Sequence, residues 1–94
     1  MRHRWRKRAV DEFRHIRRYI AERNPAAAER VISDIQRAAD RLLDFPGLGH
    51  LGEYTGVLEL QVPRRPYVLI YRIDGDVIEI LSIFDQRRDP ENMI

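Results

Sequence analysis

Ninety-four residues fit one domain around one compact core, and 44% hydrophobic with 34% charged residues is the composition of an ordinary folded chain rather than a disordered one. The absence of cysteine excludes a disulfide framework and a thiolate metal site, and no apolar run is long enough for a secretory signal or a membrane span, so a cytoplasmic protein with no membrane association is expected. Net charge is only +2, yet residues 1–23 carry nine Arg/Lys against three Asp/Glu. That local basicity suits nucleic acid, acidic lipid or an acidic protein as partner, or else a merely solvated helix face.

Arg2-His3-Arg4-Trp5 is a short candidate edge strand. From Lys7 to about Arg23 the apolar residues Val10, Phe13, Ile16 and Ile20 recur at spacings of three and four, which predicts an amphipathic helix. Asn24-Pro25 ends it and starts another, because Asn caps a helix well and Pro at the first helical position gives up an N–H that is unpaired anyway. The second helix is expected from Pro25 to about Asp44, with Ala28, Val31, Ile32, Ile35, Ala39 and Leu42 on one side. The joint is so short that the pair must fold back as a helical hairpin.

Residues 45–52 hold three glycines and a proline and read as loop. Beyond it, Val57 to Val62 alternates as a half-buried strand, Pro63-Arg64-Arg65-Pro66 turns, and Tyr67 to Ile73 and Val77 to Phe84 flank an Asp74-Gly75-Asp76 hairpin turn. The expected fold is therefore α+β: an N-terminal helical hairpin packed on one face of a small antiparallel sheet.

Strand alternation makes a further prediction. If Tyr67, Leu69, Tyr71 and Ile73 face the helices, then Val68, Ile70 and Arg72 face away; with Ile78, Ile80 and Phe84 inward, Leu81 and Ile83 join Glu79 on the outer side. The outer face thus carries an apolar stripe with no third layer to cover it, which marks a binding surface unless loops and tails fold over it.

Several segments in order carry a resemblance: Tyr19-Ile20-Ala21 before Asn24-Pro25-Ala26-Ala27-Ala28, Leu42 to Gly49, Gly56-Val57-Leu58-Glu59-Leu60, Pro66 to Arg72, and Val77 to Leu81. Together they resemble the RelE/ParE superfamily of toxins from type II toxin–antitoxin systems, and within it the ParE branch most. The resemblance implies a ParD-like antitoxin as stable partner, with operator DNA reached only through that antitoxin. It also implies poisoning of DNA gyrase for ParE-like members, or cleavage of mRNA on the ribosome for RelE-like ones, and no cofactor.

The branches differ in what they require. Metal-free RNA cleavage needs a base, an acid and cations to stabilise the charged phosphorane. RelE-like enzymes resemble one another in placing lysines and arginines on the sheet and a Tyr or His near the C-terminus. Here Leu58 to Val62 holds no lysine, Val68 stands where an arginine would follow the tyrosine, and only Arg87 matches that set. No catalytic residue is therefore assigned, with Arg87 the candidate should the chain be a ribonuclease, and a non-enzymatic inhibitor is the expectation. A degenerate, non-toxic family member is the remaining alternative.

By resemblance, Arg87, Arg88, Met93 and Ile94 are the candidate target contacts, although Arg87 and Arg88 could simply pair with Asp85, Asp89 or Glu91. The candidate antitoxin surface comprises Arg14, Arg17 and Arg18 on the first helix with Val68, Ile70, Arg72, Leu81 and Ile83 on the outer sheet face. His3, His15 and His50 fall in different elements and suggest no metal site. Tyr67 and Tyr71 are expected to be core anchors.

Overall fold

The computed structural model describes residues 1–87. In chain order these form strand β1 (Arg2–Trp5), helices α1 (Lys7–Ala21) and α2 (Pro25–Asp44), and strands β2 (His50–Leu51), β3 (Leu58–Gln61), β4 (Tyr67–Asp74) and β5 (Val77–Asp85). The helix joint forms as its residues dictate: the Asn24 side chain accepts the Ala27 N–H at 3.0 Å, and Pro25 opens α2.

The strands make one five-stranded sheet in the order β1-β5-β4-β3-β2. Strands β2 to β5 are an antiparallel meander, and β1 joins β5 in parallel, so the sheet is mixed. A parallel neighbour needs a long crossover. The two helices and the meander supply it. In the Asp74–Val77 hairpin only Gly75 of the two central residues has a positive φ, at 60°, the pattern of a type II′ turn with glycine first.

Both helices lie on one face. Ile16, Val31, Ile32, Ile35 and Leu42 meet Leu69, Tyr71, Ile78, Ile80 and Ile83 in a single core, with Trp5, Phe13, Leu58 and Leu60 at its margin. Tyr67 and Tyr71 are buried anchors, as expected. Arg65 ties the β3–β4 turn to α2 through Asp34 at 2.8 Å.

Three features differ from simple alternation. The first is β2, within the stretch read as loop. It pairs antiparallel with Leu58 and Glu59 of β3, and the tyrosine hydroxyl of Tyr71 pins the chain before it, accepting the Gly49 N–H at 3.0 Å and donating to the Pro46 carbonyl at 2.8 Å. A side chain at position 49 would not fit, since its Cβ would lie 2.7 Å from the Glu59 carbonyl and the Tyr71 hydroxyl.

The second is a β-bulge in β5. Ile70 pairs with Ser82 and Tyr71 with Ile80, so Leu81 is an extra residue and the inward and outward sides exchange beyond it. Ile83 is therefore core, 3% exposed, and Phe84 is half-buried opposite Val68. This corrects the expectation that Ile83 faces outward and Phe84 inward.

The third concerns how bare the outer face is. Val68 does point away from the helices, between the inward Tyr67 and Leu69, but it is only 8% exposed. Ile70 and Leu81 are half-buried. The uncovered apolar stripe is smaller than alternation implied. Ile73, expected inward, lies beyond the helices' cover and is 43% exposed.

Candidate functional site

A concavity of about 700 Å³ forms a groove where α1 crosses the end of β5. β1 stops at Trp5 opposite Ile80, and among the described residues no strand lies beyond the rest of β5. Glu12 of α1 takes that place. One of its carboxylate oxygens accepts the Ile83 N–H at 3.1 Å and the Ser82 hydroxyl at 2.8 Å. The groove that results is lined by Asp11, Glu12, His15, Tyr19, Tyr67, Asp85 and Arg87 with Ile16 and Ile83 at its floor.

Arg87, the cation singled out from sequence, is not a free side chain. It pairs with Asp85 at 2.9 Å, donates to the Tyr67 hydroxyl at 3.0 Å, and lies 5.5 Å from the centre of that ring. Burial pushes the Tyr67 phenol above its ordinary pKa against the opposing pull of Arg87, and the hydrogen bonds that Arg87 donates to Asp85 raise Arg87 in turn. At the rim His15 stacks on Tyr19, whose ring also receives Arg23 at 4.4 Å. Tyr67, Glu12 and His15 were not foreseen as neighbours of Arg87: Tyr67 is brought there by its pairing with Asp85 across β4 and β5, and Glu12 and His15 by the crossing of α1 over β5.

A second cluster lies on the outer sheet face. Arg4 of β1 and Arg72 of β4 are the register partners of Glu79 on β5, forming one row across three strands. Arg4 donates to Glu79 at 2.8 Å and 3.2 Å, Arg72 at 2.6 Å, and Arg6 approaches to 3.4 Å. The Glu79 side chain is only 4% exposed, whereas the three arginines are about half in solvent. The hydrogen bonds from Arg4, and then from Arg72 and Arg6, hold the Glu79 carboxyl down at about 2, overcoming the burial that opposes its charge.

The other residues proposed from sequence are scattered differently. Arg14, Arg17 and Arg18 are exposed on α1, on the helical side of the sheet, while Ile70 and Arg72 belong to the opposite face. One partner segment could not touch both sets without passing round an edge. Arg17 is paired with Glu29 at 3.2 Å; Arg14 and Arg18 make no ion pair among the described residues. His3 is paired with Asp40 at 3.0 Å rather than standing free. Arg88, Met93 and Ile94 lie outside the described residues.

With this geometry in hand, comparison with known proteins decides the family. The model of the ParE toxin of the type II toxin–antitoxin system parDE matches residues 3–90. The chain belongs to the ParE toxin family. It is 39% identical over 80 residues to the putative toxin Y4kP of Sinorhizobium fredii, covering 85% of this chain and 82% of the relative. Toxin RelE2 of Caulobacter vibrioides is 34% identical over 79 residues, covering 84% and 88% of the two chains. Among solved structures, the chromosomal ParDE system of P. aeruginosa superimposes with a TM-score of 0.81 at 26% identity, over 90% of this chain and 95% of that one. The isolated E. coli RelE toxin shares the fold, with a TM-score of 0.65 at 15% identity over 97% and 89%. The expected α+β architecture is that of both neighbours, and this ParE-family chain is a toxin component of a type II system. No helix among the described residues is long and apolar enough to cross a membrane.

Proposed function

We propose that this ParE-family toxin inhibits DNA gyrase by occupying it, with no bond made or broken by its own side chains, and that a ParD-like antitoxin neutralises it. Arg87 at the groove, with Arg88, Met93 and Ile94 of the adjoining tail, is the proposed target contact. The outer sheet face is the proposed antitoxin surface.

The observation that carries the non-enzymatic reading is the charge of the groove. A phosphorane is stabilised by surplus cations. Among the described residues the cleft is lined by one arginine, Arg87, which is already held by Asp85, while Asp11 and Glu12 are paired with Lys7 and Arg8. An entering phosphate would therefore find, among the described residues, no lining arginine or lysine that is not already paired with a carboxylate. The resemblance to ParE toxins supports gyrase as the enzyme bound.

A specific feature favours the second reading, a RelE-like mRNA endoribonuclease: an imidazole (His15), a phenol (Tyr67) and a guanidinium (Arg87) share this groove. The Tyr67 hydroxyl, however, already accepts from Arg87, and burial makes its proton harder to give up. Inducing the toxin alone in cells separates the readings. The DNA-damage response with filamentation and intact mRNA is expected; mRNA cut at codon-defined positions without that response would overturn the proposal.

A further inference from the structure

Three arginines sharing one buried carboxylate leave a charge surplus at a fixed place. Arg4, Arg6 and Arg72 converge on Glu79, and the nearest other anion, Asp74, is 64% exposed and reaches only Arg4, at 3.9 Å. Glu79 orients the guanidiniums while neutralising only one of them. Arg72 spends its Nε–H on Glu79, so its terminal nitrogens point to no other partner among the described residues.

Such a cluster differs from the basic stripe of α1 in one decisive respect. Arg14 and Arg18 are exposed and make no ion pair among the described residues, so pairing them means immobilising long flexible side chains, and surface pairs of that kind contribute little. The arginines on Glu79 are already ordered. A carboxylate arriving there meets preorganised, charge-assisted donors.

What lies beside the cluster indicates the kind of partner. Two residues along β4 from Arg72, about 7 Å away, is Ile70, followed by Val68 and its opposite Phe84. The face therefore grades from cationic at β1 and the hairpin end of β5 to half-buried apolar at the other end. Glu59, the register partner of Ile70, adds a negative charge to the same face. A phosphate backbone running along it would leave the arginines for apolar side chains and a carboxylate. An amphipathic peptide with acidic residues at one end and apolar ones beyond them would match both halves.

We propose that Arg4, Arg6 and Arg72, organised by Glu79, are the electrostatic anchor for an acidic amphipathic segment of the antitoxin, whose apolar residues continue onto Ile70 and Phe84. This rests on the reading that an antitoxin covers the outer sheet face. It departs from the expectation that α1 supplies the steering charge.

The test compares two double variants of the full-length toxin, Arg4→Gln/Arg6→Gln and Arg14→Gln/Arg18→Gln, by stopped-flow association with the antitoxin that binds the wild-type chain. At low salt the first pair should slow association about tenfold and flatten its salt dependence, because steering acts on the encounter. The α1 pair should change it less than about twofold, as expected for solvated charges. Arg6→Gln alone, which loses only the longest contact to Glu79, serves if the double variant fails to fold, and should still slow association about threefold. Equal rates for wild type and the Arg4/Arg6 variants, or a larger effect from the α1 pair, would overturn the anchor while leaving the antitoxin reading standing. An antitoxin that does not bind the wild-type toxin would overturn both. A mixed-sequence 20-nucleotide single-stranded RNA serves as the phosphate probe: no binding is expected, and binding abolished by Arg4→Gln/Arg6→Gln would assign the cluster to nucleic acid instead.

Discussion

Replacing Tyr71 with Phe removes one oxygen atom and should show how much of this small domain depends on it. The ring is fully buried and phenylalanine fills the same space, so the core packing is retained. What goes is the pair of hydrogen bonds that pins the chain entering β2, from the Gly49 N–H at 3.0 Å and to the Pro46 carbonyl at 2.8 Å. Each such bond contributes about 0.5–1.5 kcal/mol net, so the loss is about 1–3 kcal/mol, the upper part applying if the two backbone groups stay shielded from water. For a domain of this size 1 kcal/mol moves Tm by about 4–8 °C, and a mid-range loss of about 2 kcal/mol lowers it on the order of 8–16 °C. Thermal unfolding followed by circular dichroism measures this, and limited proteolysis should show faster cutting within residues 45–57. A Tm within about 2 °C of wild type, with unchanged proteolysis, would refute the reasoning.

Other outcomes follow from the same structure. Ile83→Ala should cost about 2–5 kcal/mol in urea unfolding because the bulge places Ile83 in the core, whereas Ile70→Ala should change stability much less and weaken antitoxin binding. The Glu79 carboxyl is held at about 2, below its ordinary 4.5. Its contribution is therefore complete above about pH 4.5 and lost as pH falls towards 2, and Glu79→Gln should flatten that part of the stability–pH curve. Burial raises the Tyr67 and Tyr71 phenols above 10, so they favour the fold fully below pH 10 and lose that preference as pH rises through their folded values; alkaline unfolding monitored at 295 nm should begin at lower pH for a variant with a loosened core. Arg87→Ala should weaken inhibition of the target and leave antitoxin affinity within about twofold, since it lies away from the outer face.

The helical hairpin was legible because its signals are local: the three-four apolar spacing of α1 and the cap at Asn24-Pro25 need no knowledge of the rest of the chain. The bulge in β5 was not, because Val77 to Phe84 is apolar at both parities and either phase looks acceptable. One clue was present. Strict alternation from Ile80 would bury Ser82, and a serine in an inward slot marks a slipped phase. The row Arg4–Glu79–Arg72 needs the register of three strands, one of them some seventy residues distant and parallel, and alternation alone supplies no such register. The groove at Arg87 was similarly hidden. Its cation could be named from resemblance, but Tyr67 reaches it through the β4–β5 register, and Glu12 and His15 only because β1 ends early and α1 covers the exposed edge.

The central claim is that this toxin acts by occupancy, and the most direct measurement is a titration of gyrase supercoiling with purified toxin, run beside a ribosome-bound mRNA at the same ratios. Inhibition should rise with the amount of toxin and saturate near stoichiometric ratios, with cleaved DNA trapped and the mRNA intact. Complete cutting of the mRNA by toxin present at about a hundredth of the substrate concentration would mean turnover, with acid–base catalysis by groups such as His15 and Tyr67 of the groove; that result would contradict the account.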